Sequence, residues 1–383
     1  MSLLSLIKEN YIKYFSRKDH RFIVPRKVQE KILDKFPNPK NNIERSFFQY
    51  KCQVKFLGWE KLILHLGSIF IIFYQFINFY TKKLSTDNCN EYELVCMLSG
   101  VTKDRIPLSL IKNYESNYFY NKGFKNYLNK KDIKWILNII KKYPLSWFFH
   151  AKIINKVSQY SYIINKFRPE AIAVHAEYSA TSSLLTEYCH EYDVKHINFM
   201  HGEKIYYIRD SFFKYDKCYV WDEHYKDLFI SLRADPEQFI IEKPPIFKYK
   251  IKKSVEVKFD YCYYLAGESN TQLKRIFNNL GKLKKQGYKV LVRGHPRWTN
   301  FKYVNKIAEK KKISIEEKGV DIIDSLLASK KIISLFSTVL YQAYLLDKQI
   351  VIDDISNIEK FNKLKNLDYI CLNKNHSLLS DEL

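Results

Sequence analysis

The sequence predicts an α/β protein built on two parallel sheets, and three observations lead to this fold class. From about residue 92 onward, short apolar runs alternate with longer segments of helical spacing, which is typical of parallel strands covered by helices. Lys243-Pro244-Pro245 and a charged stretch at 248–258 interrupt the alternation, so it falls into two sets. A chain of 383 residues with 46% hydrophobic content is long enough to form two domains with cores.

The first set of elements precedes the proline pair. Residues 1–90 show no alternation and predict a mostly helical extension. Beyond it, short apolar runs bounded by polar turns predict strands, and segments with apolar residues three or four positions apart predict helices. The predicted strands are 92–98, 171–174, 195–200, 217–221 and 239–242, and the predicted helices are 132–142, 147–167, 180–192 and 223–232.

The second set repeats this order and predicts a second Rossmann-like half. We therefore divide the chain into a helical extension (1–90), a first Rossmann-like domain (91–245) and a second Rossmann-like domain (246–383), with the ligand expected in a cleft between the last two. The predicted strands are 259–265, 289–292, 313–315, 331–335 and 349–352, and the predicted helices are 271–286, 301–311, 321–328 and 338–346.

The net charge of +23 indicates an anionic partner. The lysines are dispersed and no basic tail stands apart, which favours an anionic membrane surface, or phosphate-bearing small molecules, over nucleic acid. A solvated basic surface is the remaining explanation. The apolar segment 62–80 has the length of a spanning helix, but it contains His65, Gln75 and Asn78, which favours a buried or interfacial helix over a span.

The seven cysteines, at 52, 89, 96, 189, 218, 262 and 371, form no CxxC pair and are odd in number. This pattern predicts reduced thiols in a cytoplasmic protein and argues against a zinc site or a disulfide framework. Residues 1–22 lack the apolar core and cleavage site of a secretory signal.

Two strand ends in the second half carry anion-binding side chains. The strand 289–292 ends in Arg293-Gly294-His295-Pro296-Arg297, where glycine and proline shape a turn and the charged side chains suit phosphate. A simple strand-ending turn is the structural alternative. Strand 331–335 presents Ser334, then Ser337 and Thr338 before a helix, whose N-terminus can be capped or can hold an anion. Neither site resembles a P-loop or GxGxxG, which disfavours ATP and NAD.

Two strand ends in the first half carry candidate proton-transfer groups. Glu177 follows strand 171–174 and could take a proton from an acceptor hydroxyl, or could merely cap a helix. His201 follows strand 195–200 and is a second candidate base or ligand, unless it is only packed against the sheet.

Gly294-His295-Pro296 followed by Ser334 and Ser337-Thr338 resembles the HP and Ser-Ser/Thr motifs of bacterial GT-B glycosyltransferases that use CMP-sugars, the group of capsule and lipooligosaccharide sialyltransferases, polysialyltransferases and Kdo transferases. The resemblance covers about residues 165–355. It implies that His295 contacts the CMP phosphate and stabilises the leaving group. Glu177 matches the acidic motif of the sialyltransferases only in part, because Ala176-Glu177-Tyr178 has one acid and no glycine.

The same resemblance implies the remaining site residues. Gly267 and Glu268 would line the donor site, with the serine and threonine hydroxyls on the phosphate or ribose. It also implies an enzyme that needs no metal and no cofactor, with an acceptor domain (91–245) for a glycan or lipid-linked acceptor and a nucleotide-sugar domain (246–383) for the donor. The basic surface and the segment 62–80 of the membrane-associating extension would hold this enzyme at the inner face of the cytoplasmic membrane. Met200-His201-Gly202 with Trp221 resembles CDP-glycerol and polyol-phosphate transferases of the same broad fold. A non-catalytic membrane or polysaccharide-binding protein is the third alternative.

Overall fold

The computed structural model describes residues 22, 24–81, 91–121, 125–247 and 255–383. Residues 1–21, Lys82-Lys83, Cys89 and part of the charged stretch after the proline pair lie outside them. Internal contacts group Arg26–His201 with Tyr207–Lys248 in a first unit. The second unit contains Gly202–Tyr206, Tyr249–Leu383 and the described residues before Arg26. The domain limits drawn from the sequence stay a prediction beside this grouping.

The first unit contains a sheet of six parallel strands in the order β2-β1-β3-β4-β5-β6. The chain moves from β1 outward to β2 and then crosses back to β3, so the direction of winding reverses between β1 and β3. Parallel strands bury both faces, which is why they read as short continuous apolar runs. The strands are β1 Leu94–Met97, β2 Asn117–Tyr120, β3 Ala171–Val174, β4 Lys195–Phe199, β5 Lys217–Val220 and β6 Phe239–Ile241.

Eight helices belong to the described part of the first unit, including three that precede the sheet. These three lie within residues 26–80, and internal contacts group them with the first sheet. Helix α5 begins with a capping box, in which Asn129 and Asp132 each accept the other's backbone N–H. The helices are α1 Arg26–Leu33, α2 Asn42–Val54, α3 Glu60–Tyr80, α4 Leu108–Lys112, α5 Lys130–Lys142, α6 Trp147–Phe167, α7 Ser182–His190 and α8 Glu223–Ser231.

The second unit contains another sheet of six parallel strands, in the order β12-β11-β10-β7-β8-β9. Numbered from the start of this sheet, the order is 3-2-1-4-5-6, the doubly wound order of dinucleotide-binding folds, with its reversal between β7 and β10. The strands are β7 Phe259–Tyr264, β8 Val290–Arg293, β9 Ser314–Ile315, β10 Ser329–Ser334, β11 Gln349–Ile352 and β12 Ser377–Leu378.

Five helices cover the second sheet, and Ser269 and Gln272 form a capping box at the first of them. The core of this unit combines apolar faces of the strands and of the first two helices, among them Tyr263, Leu280 and Val304. The α/β class with two Rossmann-like halves is confirmed by the two sheets. The helices are α9 Asn270–Lys285, α10 Phe301–Lys311, α11 Ile322–Leu327, α12 Thr338–Leu345 and α13 Ile358–Lys365.

Candidate functional site

The reversal points of the two sheets hold most of the predicted site residues. Open α/β sheets bind ligands beyond the carboxyl ends of the strands at such a point. In the second unit, β7, β10 and the neighbouring β8 end at the same edge of the sheet. The segments that follow these three strand ends carry Gly267, Glu268, His295, Ser337 and Thr338. We call this edge the donor edge.

The turn after β8 holds the His295 ring in a defined state. The backbone N–H of Arg297 donates to Nδ1 of His295 at 3.1 Å, and the N–H of His295 donates to Oγ1 of Thr299 at 2.7 Å. A ring nitrogen that accepts carries no proton, so the neutral imidazole carries its proton on Nε2. Burial and the Arg297 charge both lower the pKa of His295. The result is a neutral ring that can donate a hydrogen bond from Nε2.

Two other residues of this turn have structural tasks. A Cβ on Gly294 would lie 2.6 Å from the Phe301 ring, so only glycine allows this close packing. Arg293 forms an ion pair with Glu316 and donates to the carbonyl of Val320 at 2.9 Å. Its charge is therefore already neutralised, and Arg293 fixes the turn. Pro296 and Arg297 are exposed beside His295.

The hydroxyl residues after β10 differ in their surroundings. Ser334 is fully buried and donates to the carbonyl of Tyr264 at 2.9 Å, which ties β10 to β7. Ser337 caps α12 by accepting the N–H of Val339 at 3.3 Å, and its own N–H donates to the hydroxyl of Tyr369 at 3.4 Å. Ser337 and Thr338 are half-buried at the helix N-terminus. They are the hydroxyls that remain accessible to an anion there.

The loop after β7 folds around the Glu268 carboxylate. Its oxygens accept the N–H groups of Ala266 at 2.9 Å and of Gly267 at 3.1 Å. Burial raises the pKa of Glu268, and these N–H groups and the charge of Lys360 act in the opposite direction. The carboxylate thus shapes the loop while it lies in the electrostatic range of a lysine.

Sequence reasoning missed two residues of the donor edge, Trp298 and Lys360. The Trp298 side chain is 66% exposed, although its Cβ packs over Gly267 and its ring centroid lies 6.2 Å from that of His295. An exposed indole at this position offers a flat aromatic surface on which a base can stack. Trp298 directly follows His295-Pro296-Arg297 in the sequence, and this position could have marked it as a candidate. Lys360 is on α13, and nothing in its local sequence singles it out.

The second set of candidates lies at the reversal between β1 and β3 in the first unit. His175 follows β3 and bonds through Nε2 to the carbonyl of Leu98 at the end of β1. The rings of His175 and His201 have centroids 4.5 Å apart. Nδ1 of His201 lies 3.8 Å from Oε1 of Glu177. The structure therefore brings the two predicted residues of this half together, and it adds His175, which the sequence reasoning did not select.

The exposed fractions of the Glu177 and His201 side chains indicate which of the two can contact a ligand. The Glu177 side chain is fully buried, while the His201 side chain is 29% exposed. Gln49 of α2 donates to the carbonyl of Glu177 at 2.9 Å, and Arg105 donates to the carbonyl of His201 at 2.7 Å. Of the pair, His201 is the group that can touch a ligand, and Glu177 can orient it.

A cavity of about 70 Å³ opens next to this pair, lined in part by His175, Tyr178, Ser179 and Lys156. Two further cations stand near the same turn. The guanidinium of Arg209 lies 5.4 Å from the Tyr178 ring centroid. Nζ of Lys152 is 3.3 Å from Oε1 of Gln53, whose amide nitrogen donates to the carbonyl of Tyr178 at 2.7 Å.

These three cations lie close enough to influence one another. Burial, Arg209 and Lys156 together lower the pKa of Lys152 to about 8. Arg209 forms an ion pair with Asp210, with Nε 3.3 Å from Oδ1, so its charge is compensated as that of Arg293 is. The charges of Lys152 and Lys156 near the cavity suit an anionic group. Within the described ranges, Lys152 has no ion pair with a carboxylate.

Metal ligands do not cluster in the part of the chain that the structure describes, where no group of three or more His, Cys, Asp or Glu side chains could hold an ion. Asp353 follows β11 and is fully buried. Its carboxylate accepts from the hydroxyl of Tyr263 at 2.7 Å and from the N–H of Ser356 at 2.8 Å. It therefore has a structural role.

Comparisons with solved structures give remote overlaps. UDP-N-acetylglucosamine 2-epimerase from Rickettsia bellii is 15% identical, with a TM-score of 0.43 over 68% of this chain and 79% of that one. A glycosyltransferase from Rickettsia africae ESF-5 is 16% identical, with a TM-score of 0.39 over 70% and 80%. The wall teichoic acid polymerase TagF is 12% identical, with a TM-score of 0.43 over 81% and 82%.

Values this low do not assign a family, an activity or a substrate to this chain. No protein-family model and no curated protein matches the sequence.

Proposed function

We propose that the protein is a GT-B glycosyltransferase that moves a sialic acid or Kdo-like sugar from a CMP-sugar to a cell-surface glycan, in capsule or lipopolysaccharide biosynthesis. One observation carries this proposal. The residues that resemble the HP and Ser-Ser/Thr motifs follow β8 and β10, the two strands that flank β7 beside the reversal of the second sheet, where a doubly wound fold binds a nucleotide.

The donor edge provides the groups that a CMP leaving group needs. As the bond between the sugar carbon and the phosphate oxygen breaks, the phosphate gains negative charge. The Nε2–H of His295, the Arg297 guanidinium and the N-terminus of α12 at Ser337 can stabilise that charge without a metal ion. Trp298 provides an exposed stacking surface for the cytosine. Gly267 and Glu268, in the loop after β7, line the donor site.

The first unit provides the base. His201 takes the proton of the acceptor hydroxyl, and the oxygen then bonds to the sugar carbon as CMP leaves with the electron pair. The buried Glu177 stabilises the imidazolium that forms, because an opposite charge nearby favours the protonated ring. This assignment gives His201 the direct role and Glu177 the supporting role.

We further propose that the acceptor is anionic and lies at the cytoplasmic face of a membrane. Lys156 in the lining of the cavity and Lys152, whose pKa the Lys156 charge helps to lower, support an acidic acceptor. Six cysteines are free and buried, which suits a reducing compartment. Nucleic acid is not among the proposed partners.

A CDP-glycerol or polyol-phosphate transferase is the second candidate. The indole N–H of Trp221 donates to the carbonyl of Met200 at 3.0 Å, directly before His201. This bond joins the two parts of the sequence pattern that resembles those enzymes. The donor edge would then hold CDP instead of CMP.

Calorimetric titration with CMP, CDP, UDP and GDP tests the proposal. Purified protein, His295→Ala and His376→Ala are compared. His376 is a matched control, because it precedes β12 and so lies toward the opposite edge of the parallel sheet. We expect the tightest binding for CMP, a loss in His295→Ala and no change in His376→Ala. Preference for CDP would move the assignment to the second candidate. Absence of nucleotide binding would leave a non-catalytic membrane or polysaccharide-binding protein.

A further inference from the structure

Helix α3 differs from an ordinary surface helix of a water-soluble protein, because polar side chains are among its buried residues and most of its exposed residues are apolar. Its buried positions include Glu60, Ser68 and Gln75, together with Leu64 and Phe79. Ser68 donates its hydroxyl to the carbonyl of Leu64, which satisfies that buried group. Most of the other apolar residues of the helix are exposed on the opposite side. Only 22% of its most apolar stretch is buried, so the alternative of a buried core helix is wrong.

Many of the exposed large hydrophobic side chains of the described residues lie on the outward face of this helix. Of the twenty large hydrophobic side chains that the described residues expose, ten lie between 59 and 80. Contiguous apolar patches of this kind mark sites that another apolar phase covers. We call this patch the α3 face, and it consists of Trp59, Leu62, Ile63, Leu66, Phe70, Ile71, Phe73, Tyr74, Ile77 and Tyr80.

We infer that the α3 face inserts into one leaflet of an anionic lipid bilayer, with the helix lying in the membrane plane. Such a helix buries its apolar side at the boundary of headgroups and acyl chains.

Attachments near both ends of α3 support the in-plane orientation over a span. The hydroxyl of Tyr50 and Nε2 of His65 are 2.9 Å apart, which ties the first half of the helix to α2. The N–H of Leu128 donates to the carbonyl of Phe79 at 3.2 Å, which ties its end to the chain before α5. The helix also packs against α6, a helix of the sheet unit with thirteen buried residues. A span would require the sheet unit to enter the hydrocarbon or these contacts to break.

Charge complementarity selects a lipid surface as the occupant. Lys51, Lys55 and Lys61 are exposed close to the start of the helix, whereas its one acidic residue, Glu60, is buried. Lysines beside an inserted apolar face attract anionic headgroups. Trp59, Tyr74 and Tyr80 are amphipathic rings of the kind enriched at membrane interfaces.

Vesicle sedimentation tests this inference independently of any transferase activity. The full chain is mixed with vesicles of phosphatidylcholine alone or with phosphatidylglycerol. The variant Phe70→Ser/Phe73→Ser removes two rings that are 78% and 66% exposed. The control Leu145→Ser/Ile358→Ser removes side chains that are 79% and 56% exposed elsewhere.

We expect binding to the anionic vesicles, at least about a tenfold loss of partitioning in the α3-face variant, and wild-type binding in the control. Circular dichroism confirms that both variants fold. Equal binding of the two variants, or no binding by the wild type, would overturn the inference. So would a vesicle-independent dimer that the α3-face variant abolishes, because the face would then bind a second copy.

Spin labels distinguish the two membrane orientations. Nitroxides are placed at Leu62→Cys, Phe70→Cys and Ile77→Cys, with the unsubstituted protein as labelling background. A helix in the plane puts the three labels at similar depth. A spanning helix would separate the first and last by about 22 Å, since each residue adds about 1.5 Å, and that result would contradict the in-plane orientation.

Discussion

Nδ1 of His201 lies 3.8 Å from Oε1 of Glu177, and the two side chains differ completely in exposure. The distance exceeds a hydrogen bond but permits strong electrostatic interaction, since the carboxylate has no access to bulk water. An ionised Glu177 would stabilise a proton on His201, and the burial of the carboxylate limits screening by solvent on its side. In the proposed mechanism this relationship gives proton transfer to the histidine and orientation to the glutamate.

Replacing Glu177 by Gln keeps the shape and removes the charge. We expect the transfer rate to fall by about 10²–10⁴-fold, the acceptor KM to change little, and the acidic limb of activity to shift to lower pH, since His201 loses the charge that favours its protonated form. His201→Asn should fall at least as far. Rate–pH profiles in both variants provide the measurement, and an unchanged profile in Glu177→Gln would refute the supporting role.

Replacing Arg297 by Gln should raise the pKa of His295. The Arg297 charge is one of the two causes that lower this pKa, the other being burial. Phosphate stabilises the imidazolium, so nucleotide affinity increases as the pH falls through the pKa of His295, and in the variant this increase begins at higher pH. Histidine-selective NMR titration follows the ring directly. Lys306→Gln on α10 is the charge-matched control, and an equal shift in both variants would exclude a local effect.

The sequence was sufficient to predict the strands that carry the site, but it could not predict which side chains are free to act. Buried parallel strands are apolar on both faces, so β3 stood out in the first sheet and β7 and β8 in the second. Within each parallel sheet the carboxyl ends of the strands had to share an edge. The ion pair of Arg293 with Glu316 could not be predicted, because the two residues are 23 positions apart in the sequence and meet only in the folded chain.

Other features escaped sequence reasoning for related reasons. Strand β2, Asn117–Tyr120, has no continuous apolar run, because it lies at the sheet edge and is only half-buried. The sequence could not predict that the apolar side chains of α3 are exposed. An apolar segment with a few polar residues fits a buried helix, an interfacial helix or a span. Tertiary contacts decide between them.

The buried His196 should make the protein less stable in mild acid. Its Nε2 pairs with the hydroxyl of Tyr160 and its Nδ1 with that of Thr186, both at 2.8 Å, and burial lowers its pKa to about 3. The unfolded chain binds this proton near pH 6.5 and the folded chain does not. The contribution is therefore complete above pH 6.5 and decreases by about 1.4 kcal/mol per pH unit as the pH falls toward 3.

Urea unfolding at pH 7 and pH 5 checks this dependence. The wild type should lose roughly 2 kcal/mol from His196 between these values, and His196→Gln should lack that loss. Carboxylate titration affects both proteins alike and cancels in the comparison. Equal pH slopes in the two proteins would show that His196 does not control acid stability.

Replacing Gly267 by Ala tests whether the donor edge depends on the close packing of its loop. Gly267 has φ +97°, and a Cβ there would lie 2.9 Å from Cβ of Trp298. Gly287 is a matched control, because it has φ +94° with nothing within 4 Å. Both alanines incur the left-handed backbone cost of about 1–2 kcal/mol. Only Gly267→Ala must also displace Trp298, so it should be the less stable variant in urea and the weaker nucleotide binder in calorimetry. Equal losses in both measurements would mean that the Trp298 contact does not organise the site.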